Sequence, residues 1–243
     1  MTTSEHSDLS KALELPCGAV LKNRIAKPAM SDSLGDGTGR PTQQQVDLYG
    51  IWAEGGVGLS IIGEVQGDAL AAEKPGNLVL HDAADTDQFH RLAEAGRRNS
   101  ALLWVQLGHA GAMAHPPISV PRGPSNLQVG SVACRALSLK EIAQIPSEFA
   151  HTAYLAKEMG FGGVQIHAAH GFLLSQFLSP LFNKRDDQYG GSIENRMRLT
   201  LEVIAKVRDQ VGPEFPIGIK LNATDQLEGG LAETDALTVE QPI

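Results

Sequence analysis

Five short, nearly continuous apolar runs punctuate this chain, at Arg24 to Met30, Gly58 to Val65, Leu102 to Gly108, Gly163 to Ala169 and Ile217 to Asn222, with helical patterns between them. Runs of about four to eight apolar residues read as strands buried on both faces. Between them, Gln43 to Glu54 sets Val46, Tyr49 and Trp52 on one face, and Gly55–Gly56 stops the pattern. Asp85 can cap a helix carrying Phe89, Leu92 and Ala93. Ser138 and Glu141 have capping-box spacing ahead of Ile142, Ile145 and Phe149, and Pro146 is expected to split that stretch in two. Ser192 opens a helix whose stripe of Met197, Leu201, Ile204, Val207 and Val211 ends at Gly212–Pro213. Strands alternating with helices, with no hairpin signal between the main strands, demand parallel pairing through right-handed crossovers. The expected class is α/β, with about five of the eight βα units of a (β/α)8 barrel.

Length and charge narrow the function. A chain of 243 residues is ample for a buried core. Its net charge of −8 provides no long-range positive field to gather nucleic acid or anionic lipid. No run approaches the roughly 18 apolar residues of a membrane span, and the first residues lack the pattern of a signal peptide. Two cysteines, Cys17 and Cys134, make no disulfide framework and suit a reducing compartment. The expectation is a soluble, cytoplasmic protein without nucleic-acid or membrane partners.

Every expected strand ends in polar residues, where the sites of parallel barrels gather. The first ends in Lys27-Pro28-Ala29-Met30-Ser31, the second in Gly63-Glu64 and the third in Gln106-Leu107-Gly108-His109. The fourth ends in Gln165-Ile166-His167-Ala168-Ala169-His170 and the fifth in Ile219-Lys220-Leu221-Asn222. Lys220 stands among Ile217, Ile219 and Leu221, where an uncompensated ammonium costs several kcal/mol, so it calls for an anionic partner. That partner is either a carboxylate on a neighbouring strand, such as Glu64, or a bound anionic ligand. His167 and His170 either polarise a carbonyl oxygen, serve structure, or bind metal, although no third metal ligand is evident. Gln106 offers both a donor and an acceptor, to a heterocycle edge or to a loop. No GxGxxG, P-loop, GxSxG or CxxC pattern is present.

These residues lie in motifs that resemble the Old Yellow Enzyme family of NADH:flavin oxidoreductases. The resemblance rests on Asn23 to Ser31, Trp104 to Gly111, Gly160 to Pro180, Asn183 to Arg185 and Tyr189 to Arg196. It implies a TIM barrel holding FMN at the C-terminal ends of its strands. Pro28, Ala29, Met30, Ser31, Gly63 and Glu64 then line the flavin, Gln106 meets its pyrimidine edge, and Lys220 lies beside its N1 and O2. His167 and His170 bind the oxygen of the electron acceptor, and NADH or NADPH is the reductant. Hydride then passes from reduced FMN to an activated alkene or another small-molecule acceptor.

Three departures from the family pattern qualify that expectation. Phe172 stands where a proton-donating tyrosine is usual, and Ala112 where an arginine often follows His-Ala-Gly. Strands six to eight, whose loops grip the FMN phosphate in this family, are missing, as in a C-terminal truncation. The expected division is an N-terminal tail leading into a lid over 1–17 and a partial barrel over 18–243. A homo-oligomer or a complementing chain at the open barrel edge is the expected partner. The alternatives are an inactive truncated barrel acting as an interaction module or half of a split enzyme, and a metal-dependent aldolase barrel.

Overall fold

The computed structural model describes residues 8–243 apart from 83, 117, 118, 130 and 131. It opens with the short strands β1 (Leu13–Glu14) and β2 (Val20–Leu21), then β3 (Ala26–Met30), α1 (Gln43–Glu54), β4 (Leu59–Gln66), β5 (Leu78–Val79), α2 (Thr86–Gly96) and β6 (Leu102–Leu107). Three short strands follow, β7 (Arg122–Gly123), β8 (Leu127–Val129) and β9 (Val132–Ala136), then α3 (Leu139–Ile142), α4 (Ile145–Glu158) and β10 (Val164–Ala168). The remainder is α5 (Leu173–Leu178), α6 (Ile193–Arg196), α7 (Arg198–Val211), β11 (Ile217–Leu221) and α8 (Glu233–Glu240).

The main sheet has the order β11-β10-β6-β4-β3, with β5 paired to the end of β4, and every pairing is parallel. Spatial order thus follows chain order. A doubly wound sheet reverses direction at a switch point, whereas a barrel wall does not. The expected five βα units of a barrel are therefore present, and β3 and β11 are the edges of the wall.

The two sheet faces carry different layers. Ile62, Val65, Leu103, Val105, Leu107, Val164, Ile166 and Ala168 share one buried cluster with Tyr49 of α1, Phe89 and Leu92 of α2, Phe149 and Ala153 of α4, and Val203 and Val207 of α7. Burying each such large side chain contributes about 1.5–3 kcal/mol. A second cluster joins Leu59, Ile61 and Trp104 to Leu21, with Leu13 and Leu15 of the opening segment packed against it. There the indole requires glycine beside it: a Cβ on Gly163 would lie 2.6 Å from the Trp104 ring atoms Cε2 and Nε1.

Local signals set the helix boundaries. The Thr42 hydroxyl accepts from the Gln45 N–H, and α1 ends at Gly55–Gly56, where Gly56 has φ +100°. Asp85 caps α2, and Ser138 and Glu141 close a reciprocal capping box on α3. Pro146 lies in the first turn of α4, after the expected break. The helix expected from Ser192 divides at Met197 into α6 and α7. The buried face of α7 is Leu199, Val203, Val207 and Val211, while Leu201 and Ile204 of the expected stripe are only half buried. Buried Arg196 anchors α6 through the Leu178 and Gly191 carbonyls and Asp235.

Two antiparallel pairs, β1–β2 and β8–β9, lie outside the expected pattern. The second follows a two-residue Gly-Ser spacer between Val129 and Val132, a hairpin signal that short flanking runs leave faint. Among the described residues no helix is long and apolar enough to cross a membrane.

Gly163→Ala should cost about 1–3 kcal/mol by forcing the indole from its seat. The check is urea unfolding, where a midpoint equal to that of wild type would refute the packing argument. Gly218→Ala, whose Cβ would lie 3.3 Å from Trp104 Cζ3, should cost less.

Candidate active site

Strand register assembles a polar row at the C-terminal ends. Gln106 of β6 lies opposite Gln165 of β10, and His167 lies opposite Lys220 of β11. Successive side chains alternate across a sheet, so Trp104 and Gln106, Gln165 and His167, and Lys220 all face inward, away from the helices. Gln106, 3% exposed, donates from Nε2 to Gln165 Oε1 at 2.8 Å. Gln165 belongs to the expected polar end of the fourth strand but had no role assigned, although its two-residue spacing from His167 puts both on one face.

His167 is 2% exposed, and its Nδ1 accepts the Ala169 N–H at 3.3 Å. With Nδ1 accepting, the neutral ring carries its proton on Nε2. Burial, then the neighbouring His170 and Lys220, push its pKa down to about 3. His170 stands at φ 59°, its backbone N–H bound to Asn222 Oδ1 at 3.0 Å, and its ring lies 5.1 Å from that of His167 at 85°. Burial and then Lys220 lower its pKa as well. The Phe172 ring is 4.8 Å from His167 on another side.

The first two barrel strands contribute backbone. Register shifts fall between Lys27 and Met30 in β3 and between Ile62 and Val65 in β4. Such bulges take Pro28–Ala29 and Gly63–Glu64 out of the regular ladder, the kind of feature that re-aims groups beside active sites. A Cβ on Gly63 would lie 2.3 Å from the Met30 carbonyl carbon, so only glycine permits this approach. Pro28 and Met30 are exposed, and Ala29 and Ser31 half buried.

The expectation that Lys220 is buried is overturned, and of its two possible partners the carboxylate of Glu64 is not the one in reach. Lys220 is exposed because β11 is an edge strand, and two strands separate it from β4. Among the described residues it forms no ion pair. Glu64, 8% exposed at φ 55°, meets Asn77 Nδ2 at 3.5 Å. Burial, then the adjacent Glu73 carboxyl, raise its pKa to about 8.

Gln176, inside α5 and fully buried, is a further residue that sequence patterns did not mark. Its Oε1 accepts the Ala112 N–H at 3.0 Å, and its Nε2 donates to the carbonyls of Ala110 at 3.1 Å and Gly171 at 2.6 Å. It thereby ties the turn after β6 to the turn that carries His170 and Phe172.

A histidine held neutral by burial binds fewer protons folded than unfolded, so its contribution to stability is lost as pH falls. His167 should thus destabilise the fold progressively from about pH 6.5 towards 3. Its imidazole resonances should stay those of a neutral ring throughout pH 5–8 by NMR. Lys220→Gln should move the His170 titration to higher pH, and an unmoved His170 curve would refute the electrostatic coupling.

Comparison with known proteins agrees with this fold. Residues 17–241 match the NADH:flavin oxidoreductase / NADH oxidase family. An NADH oxidase of Thermoanaerobacter brockii is 37% identical over 217 residues, covering 87% of this chain and 33% of that protein. The NADH-dependent flavin oxidoreductase nadA of Aspergillus parasiticus is 36% identical over 234 residues, covering 88% and 53%. The chain therefore spans about a third of the first relative's length and about half of the second's. Among solved structures, a 2-naphthoyl-CoA reductase complex superposes with a TM-score of 0.92 at 26% identity, covering 97% of this chain and 38% of that one. An old yellow enzyme homologue from Zymomonas mobilis gives 0.86 at 25%, covering 95% and 68%. The chain belongs to the NADH:flavin oxidoreductase / NADH oxidase family.

Proposed function

We propose that the inward face at the strand ends holds FMN and that the chain acts as an NAD(P)H-dependent oxidoreductase of the Old Yellow Enzyme type. The observation that carries this reading is the row formed by Gln106, neutral His167 and unpaired Lys220 on three adjacent strands. A heterocycle that gains electrons needs fixed donors and a cation where its negative charge grows. This row has that chemistry, and the bulges at Pro28–Ala29 and Gly63–Glu64 add backbone groups on the facing strands. The names of the relatives support NAD(P)H as reductant: one is an NADPH dehydrogenase, and morphinone reductase is solved with tetrahydroNAD.

When bound, FMN would supply hydride to the β-carbon of an alkene conjugated to a carbonyl. His167 donates from Nε2 to the acceptor's carbonyl oxygen, on which negative charge develops. Burial keeps that donor in one tautomer, so little reorganisation is needed. The turn that carries His170 is held by the hydrogen bond from its backbone N–H to Asn222 Oδ1, with the His170 ring 5.1 Å from that of His167. Phe172 has no proton to give, so the α-carbon proton has to come from water or another group. The exposed edges β3 and β11 favour a second reading, in which a second copy or a complementing chain pairs there; a strictly monomeric mass in solution would exclude it.

Excess chain should quench FMN fluorescence, and Lys220→Gln or Gln106→Ala should weaken that binding about tenfold, the size of one charge-assisted hydrogen bond. Unaltered FMN fluorescence would overturn the proposal. In the flavin-bound protein, Phe172→Tyr should raise 2-cyclohexenone turnover at least tenfold, within the range of general-acid catalysis, while NAD(P)H oxidation changes little. Unchanged enone turnover would mean that another group already supplies the proton.

A further inference from the structure

The segment 67–77, between β4 and β5, forms a strap across the strand ends, and the Glu64 side chain is held against it. The Glu64 carboxyl is 8% exposed, accepts from Asn77 Nδ2 at 3.5 Å and lies within hydrogen-bonding reach of the Glu73 carboxyl, and both partners belong to the strap. Two buried carboxyls this close hold one proton between them, because ionising both would set like charges together out of water. Burial and then Glu73 raise the Glu64 pKa to about 8, while Lys74, also on the strap, opposes the shift. On the strand side Glu64 meets uncharged groups: a Cβ on Gly108 would lie 3.8 Å from Glu64 Cγ and 3.7 Å from Gln66 Nε2. The strap also packs against the loop before α1, where a Cβ on Gly35 would lie 2.6 Å from the Gly76 carbonyl oxygen. The carboxylates of that loop are bound elsewhere, Asp32 to Gln45 and Tyr49 and Asp36 to Thr38 and the Arg40 N–H.

The strap's remaining ties run to the turn after β6. The Ala71 and Ala72 carbonyls accept the N–H groups of Ala110 at 2.8 Å and His115 at 3.0 Å, and Asp68 pairs with Arg122 at 3.1 Å. Within the strap, Asn77 Oδ1 accepts the Lys74 N–H at 2.9 Å. The segment it holds, 110–115, is the one that Gln176 joins to the turn of His170 and that packs Ala110 and Ala114 against Phe172.

We infer that the strap is a pH-sensitive clasp, closed while Glu64 and Glu73 hold one proton between them and lifted when they lose it, which frees residues 110–115 beside the histidine pair. The clasp goes beyond the flavin reading and needs no cofactor. Lifting the strap hydrates Glu64 and returns its pKa towards the ordinary value of 4.5. Between about pH 4.5 and 8 the closed form therefore binds one proton more than the lifted form. Closure is strongest below about pH 4.5 and weakens as pH rises towards 8. Each pH unit within that window multiplies the lifted fraction close to tenfold, roughly the effect of one proton.

The test is amide hydrogen exchange on the full chain, read by NMR from about pH 5.5 to 7.5 and corrected for the intrinsic pH dependence of exchange. Protection at Lys74, Asn77, Ala110 and His115 should fall close to tenfold for each pH unit, roughly the one-proton slope, while Ile166 in β10 changes far less. Glu64→Gln cannot ionise yet keeps an amide for Asn77 and Glu73, so protection of the strap should become independent of pH. Glu73→Gln removes the like charge and should reduce the total fall. Flat protection in the wild-type chain, a wild-type slope in Glu64→Gln, or strap amides no less protected than Ile166 throughout would each overturn the inference. Exchange is measured without FMN, so a chain that fails to bind flavin but shows this slope loses the flavin reading and keeps the clasp.

Discussion

Parallel register is the constraint on which the site depends. Gln106, Gln165, His167 and Lys220 align because β6, β10 and β11 pair with Gln106 opposite Gln165 and His167 opposite Lys220. A one-residue slip of β10 would turn His167 towards the helices and Ile166 towards the inward face. That slip would remove Val164, Ile166 and Ala168 from the buried layer and insert an amide and an imidazole in their place. Both changes are unfavourable by several kcal/mol. The apolar outer layer therefore fixes the position of the polar inner row, and the site needs few interactions of its own to stay aligned.

The same arrangement explains why a cation and two uncharged imidazoles coexist. Lys220 raises the potential at His167 and His170, and burial has already disfavoured their protonation, so both effects act in one direction. An ion pair at Lys220 would cancel that potential. Edge placement makes a partner unnecessary, since water solvates the ammonium from the open side. Glu64 takes the opposite course on β4: its environment favours the uncharged acid. Charge on the inward face is thus concentrated at one end of the row.

Each barrel strand was legible to within two residues, because a buried parallel strand announces itself as an apolar run in any context. Helix starts at Asp85 and Ser138 were legible because capping chemistry is local. The polar strand ends were conspicuous for the same reason that they are costly. What failed depends on distant chain. Lys220 looks buried among Ile217, Ile219 and Leu221, but whether a strand is central or at an edge is a property of topology rather than of those neighbours. The stripe expected on α7 holds at Val207 and Val211, while in its first half Leu199 and Val203 are buried in place of Leu201 and Ile204. Gln176 looks like any polar helical residue until the turns at Ala110 and Gly171 are brought beside it. Its role is wholly tertiary.

Phe172 bears on one part of the proposed chemistry only. Its ring lies against that of His167 and clusters with Ala110 and Ala114, and a phenyl group has no hydroxyl to donate. On the flavin reading, the side chains that would hold the reduced heterocycle are Gln106 on β6 and Lys220 on β11, and residue 172 is not among them. A chain with phenyl at 172 would keep those groups and lack a proton donor beside His167.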